Sequence, residues 1–151
     1  KKMRRLSYNA LDGTDVERRW HRYKILQGEI GSVKGALQSG LDNGVIPDVL
    51  WKNIKGLRKQ RGLEKELRGL DNGEFSDDVK RQLKGLTDKE KEKKVKEIKA
   101  EKKSELEELK KQNVKDVTKF LTDKVKEYLD LEKEIILTFL SFLALKIKKI
   151  I

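Results

Sequence analysis

The residues richest in chemistry stand at Arg18-Arg19-Trp20-His21-Arg22-Tyr23-Lys24, where fixed positive charges interleave with two aromatic rings. On a helix Trp20 and Tyr23 share a face, while Arg18, Arg22 and Lys24 fan around it. Guanidinium groups grip phosphate oxygens in pairs, and ammonium groups hold them as point charges. A second basic run follows Trp51: Lys52, Lys55, Arg58, Lys59 and Arg61, with no acid between Val49 and Gly62. Acids are common elsewhere in the chain, so their absence there is informative. Lys1, Lys2, Arg4 and Arg5 form a basic arm ahead of both runs. With Arg19 and Tyr23, these residues make up a candidate nucleic-acid-binding set. The plain alternative is that Trp20 and Tyr23 are core residues and the arginines are solvated.

The whole-chain balance points the same way. There are 37 Lys+Arg against 26 Asp+Glu, a net charge of +11, and a pI near 9.7. Such a chain is drawn to a polyanion, either nucleic acid or an anionic membrane surface. With no cysteine, it has no disulfide framework, thiolate nucleophile or cysteine-ligated zinc. Its one histidine, His21, cannot build a histidine metal centre and is expected at the surface. The sequence holds no phosphate loop ending in Lys-Ser/Thr, no Gly-x-Ser-x-Gly elbow and no metal-spaced carboxylate set. A binding or structural role without cofactor is therefore expected, not an enzyme. The first residues are basic and polar, unlike a secretory signal, so a virion or an intracellular nucleoprotein is the expected location.

The elements that must position these residues follow from composition and period. In 151 residues, 42% are charged, 36% hydrophobic and only 6% aromatic. Such a thin core favours long helices that each bury one stripe. The expected fold is all-α, with extended helical hairpins or a bundle, a basic N-terminal arm and long C-terminal helices. The expected division is an arm at 1–13, basic hairpins at 14–86 and a Lys/Glu-rich helix with an apolar end at 87–151. Thr14-Asp15-Val16-Glu17 reads as a capping box opening a helix from about Asp15 to Gln38. Val16, Trp20, Tyr23, Ile30, Val33 and Leu37 mark its apolar face. Gly28, Gly31 and Gly35 weaken it by about 1 kcal/mol each relative to alanine, so it needs partners or bends.

A repeat of 29 residues follows. Gly40-Leu41-Asp42-Asn43-Gly44-Val45-Ile46-Pro47-Asp48 leads into a helix expected to end at Lys55-Gly56-Leu57. Gly69-Leu70-Asp71-Asn72-Gly73-Glu74-Phe75-Ser76-Asp77 leads into one expected to end at Lys84-Gly85-Leu86. Gly and Asn supply the positive φ that ends a helix, while Pro47 and Ser76 suit the start of the next. Each copy is thus a helical hairpin. The second resembles the short hairpin modules called SHOCT domains, Leu-x-x-Leu-x-x-Gly-x-Ile-[Ser/Thr]-x-x-x-[Phe/Tyr]. Leu67, Leu70, Gly73, Phe75 and Ser76 match, and Val79 stands where that pattern has an aromatic residue.

Thr87-Asp88-Lys89-Glu90 is a second capping box, after which neither Gly nor Pro occurs. Lys89 to Lys111 holds ten Lys and seven Glu around a seam of Val95, Ile98, Leu106 and Leu109, the pattern of a solvated helix. Val114, Val117, Leu121, Tyr128, Leu131 and Ile135 continue a heptad-like seam, with Asn113 as a candidate break. Ile135 to Leu145 is apolar on almost every side, with Thr138 and Ser141 the polar exceptions. Eleven helical residues span about 17 Å, too little to cross a bilayer. Leu137, Phe139, Leu140, Phe142 and Leu143 are therefore expected to meet lipid or another subunit, and Lys146, Lys148 and Lys149 would suit anionic headgroups or phosphates.

A basic arm, basic helices and an apolar end too exposed for a monomer fit a protein that coats nucleic acid and assembles laterally. In these features the chain resembles the helical major capsid proteins of filamentous archaeal viruses, the enveloped ones in particular. The likeness rests on the arm, Arg18 to Lys24, Lys52 to Arg61 and Ile135 to Leu145. It implies duplex DNA wrapped by basic helices, self-association or a homologous subunit, and an outer surface facing a membrane. Lys/Glu richness also fits a hot habitat. The alternative is a helical scaffolding protein whose C-terminal helix binds a membrane surface or a partner.

Overall fold

Two of the expected helix starts carry their side-chain caps. The Ser76 hydroxyl accepts a hydrogen bond from the backbone N–H of Val79, and the Thr87 hydroxyl accepts one from that of Glu90, both at 3.4 Å. Each satisfies one of the first-turn donors that a helix leaves unpaired. The computed structural model describes residues 14–41 and 45–150. The arm residues Lys1, Lys2, Arg4 and Arg5, the turn Asp42-Asn43-Gly44 and the Thr14 cap lie outside the described residues.

Five helices occur among the described residues: α1 (Thr14–Gln38), α2 (Asp48–Asn53), α3 (Gly56–Asn72), α4 (Asp77–Leu83) and α5 (Asp88–Ile150). Some 88% of the structure is helical, without a strand among the described residues, so the fold is all-α. The expected long C-terminal helices are one helix. Packing divides the chain into two compact units, and the division does not follow chain order. Unit 1 combines the N-terminal segment to Ala36 with 118–151, and unit 2 is Leu37–Val117. The helix α5 contributes its first part to unit 2 and its second part to unit 1.

In unit 2, α3 and α4 form a hairpin around Gly73, whose φ of 75° and capping N–H to the Gly69 carbonyl end α3 in the left-handed region. The core cluster comprises Leu63, Leu67 and Leu70 of α3, Val79 and Leu83 of α4, and Ile98 and Leu106 of α5. Each such side chain contributes about 1.5–3 kcal/mol when fully buried. Lys102 pairs with Glu66 at 2.5 Å, Lys99 pairs with Asp71, and Asn113 reaches Gly56. The order of these pairs sets α3 antiparallel to α5.

Two local expectations are corrected. The first repeat copy does not end at Lys55-Gly56-Leu57: α2 stops at Asn53, Ile54 is extended, and Gly56 begins α3. In the second copy, Gly85 takes φ 82° after α4 ends at Leu83. The same Lys-Gly-Leu triplet therefore starts one helix and follows another. Asn113 does not break α5 either. It is fully buried, and its side-chain amide donates to the Gly56 carbonyl (3.1 Å) and to Gln60 Oε1 (2.7 Å). These bonds leave the backbone of α5 free to remain helical.

In unit 1, α1 runs antiparallel to the second part of α5, as the pairs Arg19–Glu134, Tyr23–Tyr128 and Glu29–Lys124 require. Leu26 and Val33 are fully buried, with Val16, Tyr23 and Ile30 half-buried on the same helix. Trp20 departs from the expected face and remains 46% exposed. The half-buried side passes through Arg19, Arg22 and Tyr23 to the buried Leu26, which leaves Trp20 at its edge.

Candidate nucleic-acid interface

The two basic runs belong to different units, and the structure treats their cations differently. On α1 two arginines are committed to α5. Arg22 donates from Nε and Nη2 to the two oxygens of Glu127, at 3.0 and 3.3 Å, and Arg19 pairs with Glu134 at 3.4 Å. Arg18 and His21 are exposed, and neither has an ion pair among the described residues. Lys24 lies 4.9 Å from the centre of the Trp20 ring, a cation–π contact that leaves its ammonium open to solvent.

The aromatic rings form a short ladder. Tyr23 stacks on Tyr128 with centroids 4.4 Å apart, and Trp20 stacks on Tyr23 at 5.6 Å. The Tyr23 hydroxyl donates to Glu132 at 3.0 Å and accepts from the Tyr128 hydroxyl at 2.6 Å. This hydroxyl pair, then desolvation, then the Glu132 carboxylate push the Tyr23 phenol well above its usual range. Its ring and its hydroxyl are thus both occupied within the unit, and Tyr23 joins helices rather than presenting a face to a ligand.

The run on α2 and α3 in unit 2 is more open. Lys52, Lys55 and Arg58 are exposed and carry no ion pair among the described residues. Lys59 is exposed too and touches Glu105 only at 3.9 Å. Arg61 is half-buried, 3.6 Å from Glu64 and 5.7 Å from the Trp51 ring centre. Trp51 itself donates its indole N–H to the Ile46 carbonyl at 3.0 Å. The four outer cations are held on a scaffold anchored by Leu50, Ile54 and Leu57, all buried. Such groups can neutralise phosphates, with Arg58 able to do so in bidentate fashion. No group of residues suited to hold a metal ion occurs among the described residues.

The apolar C-terminal segment lies on the surface of this chain. Leu137, Phe139, Leu140, Phe142 and Leu143 are all exposed, from 42% to 66%. Val16, Ile135, Phe139, Phe142 and Leu143 line a groove of about 340 Å³ within unit 1. No helix is long and apolar enough to cross a membrane among the described residues.

Sequence reasoning missed the acids that receive α1: Glu127, Glu132 and Glu134. A signal was present. Acids recur at 123, 127, 130 and 134 on α5, the spacing of one helix face, and Arg19 and Arg22 form a matching pair on α1. The chain matches no protein-family model, no curated protein and no solved structure.

Proposed function

We propose that this chain is a structural nucleic-acid-binding protein that coats or packages duplex DNA and associates with copies of itself. A filamentous, virion-type nucleoprotein, like the capsid proteins it resembles, is the assembly this reading implies, in a hot habitat. The observation that carries it is the acid-free run from Lys52 to Lys59, four outer cations with no carboxylate closer than 3.9 Å among the described residues. Of the basic run on α1, Arg18 and Lys24 are open, whereas Arg19 and Arg22 serve the fold.

The state of the aromatics favours a duplex over single strands. Proteins that grip single strands offer open rings on which unstacked bases pile. Here Tyr23, Tyr128 and Trp51 are engaged within the chain, leaving Trp20 half-open. The open cations from Lys52 to Lys59, beside a Trp51 whose indole is engaged, suit a backbone whose bases remain stacked.

The test is binding to a random-sequence duplex across a salt series. Affinity should fall linearly on logarithmic axes, with a slope of about 0.9 per neutralised phosphate. Replacing Lys52, Lys55, Arg58 and Lys59 by alanine should lower the slope by about one unit per lost contact, equally for unrelated sequences. An unchanged slope removes this run from the interface. The exposed apolar segment favours a second reading, a helical scaffold with a membrane- or partner-binding helix. A scaffold would purify free of nucleic acid and show no salt-dependent duplex binding.

A further inference from the structure

Within unit 1, the second part of α5 carries two apolar seams, and only one packs against α1. Leu121, Tyr128, Leu131 and Ile135 are half-buried on the side that receives α1. Leu129, Ile136, Leu140, Leu143 and Ile147 follow at steps of seven, four, three and four, which places them on one stripe of the helix. All five are 43–56% exposed. The stripe lies about 100° round the helix from the side where Tyr128, Leu131 and Ile135 pack, and Leu143 stands where it borders the groove beside Val16.

We propose that this stripe is a two-fold self-association surface, in which the α5 stripe of a second copy packs antiparallel against it. The argument for this occupant is charge. On one flank Asp130, exposed to solvent, precedes the apolar segment and Lys148 closes it; on the other, Glu132, one of whose carboxylate oxygens accepts from Tyr23, precedes it and Lys146 closes it. An antiparallel register that sets Leu129 against Ile147 and Ile136 against Leu140 brings Glu132 of each copy to Lys146 of the other. Asp130 and Lys148 meet in the same way on the opposite flank. A parallel pair would instead align each lysine with its own copy and each acid with its own copy. The two-fold axis makes the contact self-complementary, as an isologous dimer requires.

The polar side chains inside the segment do not oppose this burial. Thr138 and Ser141 hydroxyls donate to the carbonyls of Glu134 and Leu137, both at 2.9 Å, so neither needs a further partner. Lys133, the charged residue within the stripe, can lay its methylenes along the second copy's Leu143 and keep its ammonium in water. A membrane surface fits less well. An interfacial helix needs one strongly polar face, and the acids Asp130, Glu132 and Glu134 would meet anionic headgroups beside the lysines.

This contact gives form to the self-association within the proposed function and rests on that part of it alone, not on nucleic-acid binding. The chain has no cysteine, so single cysteines report cleanly. Full-length Leu129→Cys and Ile147→Cys proteins are mixed under mild oxidation without nucleic acid. The expected product is the mixed disulfide dimer, in excess over either homodimer. Homodimers in excess, or no cross-link, would overturn the antiparallel register. Sedimentation of the unmodified chain should show a dimer, and Leu140→Glu with Leu143→Glu should raise its dissociation constant at least about 100-fold. Both positions are exposed in the single chain, so its helicity should persist, as circular dichroism will show. Flotation with vesicles of equal phosphatidylcholine and phosphatidylglycerol by a chain that stays monomeric overturns the proposal in favour of lipid. A dimer that ignores duplex DNA would refute the proposed function and leave this contact standing; salt-dependent DNA binding by a monomer would do the reverse.

Discussion

Asn113 and Gly56, 57 residues apart, are fitted to one another: the Asn113 amide donates to the Gly56 carbonyl at 3.1 Å, and a Cβ at Gly56 would collide with Asn113 Oδ1. Gln60 completes the arrangement, accepting from Asn113 at 2.7 Å and donating to the Leu41 carbonyl at 3.3 Å. The contact ties the start of α3 to α5 through polar groups that are fully buried. Gly56→Ala should therefore destabilise unit 2 by about 1–3 kcal/mol, the usual cost of overpacking. In an Asn113→Ala background the same change should cost distinctly less, since the colliding atom is gone. Denaturant melts of the four proteins of this cycle check the coupling. Additive costs would show that the two residues do not constrain each other.

The glycines divide into two classes with opposite expected signs. Gly73 has φ 75°, so Gly73→Val should destabilise by more than about 1 kcal/mol. Gly28, Gly31 and Gly35 lie inside α1 with open space where a Cβ would go. Alanine at any of the three should stabilise by roughly 0.5–1 kcal/mol. Thermal melts that moved both classes in one direction would contradict the assigned backbone.

The arginines of α1 are expected to separate by role. Arg22→Ala breaks a two-bond pair with Glu127 and should lower the melting temperature of the chain, with little effect on the salt dependence of duplex binding. Arg18→Ala with Lys24→Ala should do the opposite, reducing the slope by up to about two units while stability holds. Measured together, melting and salt titration distinguish a cation that clamps helices from one that meets phosphate.

Alkaline pH should act on unit 1 through Tyr23. Its phenol is held protonated more firmly in the folded chain than in the unfolded one. A raised pKa favours folding while both states are protonated, and the advantage fades as pH climbs past the unfolded value of about 10. Stability should thus decline above that pH, and Tyr23→Phe should show a shallower decline. Equal slopes in the two proteins, read from melts over the alkaline range, would remove Tyr23 as the cause.

Much of the fold was legible in the residues, for physical reasons. Capping at Ser76 and Thr87, the turn at Gly73 and the span of α1 are local, so side chains within a few positions decide them. Lys55-Gly56-Leu57 departs from its expected place at a helix end, and Gly56 packs there against Asn113, a residue far along the chain. Trp20 departs from its expected face because a stripe of mixed steps of three and four drifts around a helix, and Arg19 and Arg22 face α5 through Glu134 and Glu127. Of the candidate site, the cation-rich segments were visible from charge alone. Which cations remain open was not, since that depends on acids more than a hundred residues away.

That separation also governs the order in which the chain can fold. The hydrogen-bond partners of Arg22 and Tyr23 on α5 follow them by 105 to 109 residues, whereas 37–117 holds a core of its own. At ribosomal rates of about 5–20 residues per second, α1 waits on the order of 5–20 s for Glu127 to Glu134 to emerge. Leu26 and Val33 are without their final cover throughout that interval. The three open glycines keep α1 a poor helix by itself, which makes it a less persistent apolar stripe while it waits. Closure of unit 1 is then a late, long-range event in biosynthesis, and a nascent chain that has left the ribosome only as far as residue 117 would display a finished unit 2 with α1 still unpaired.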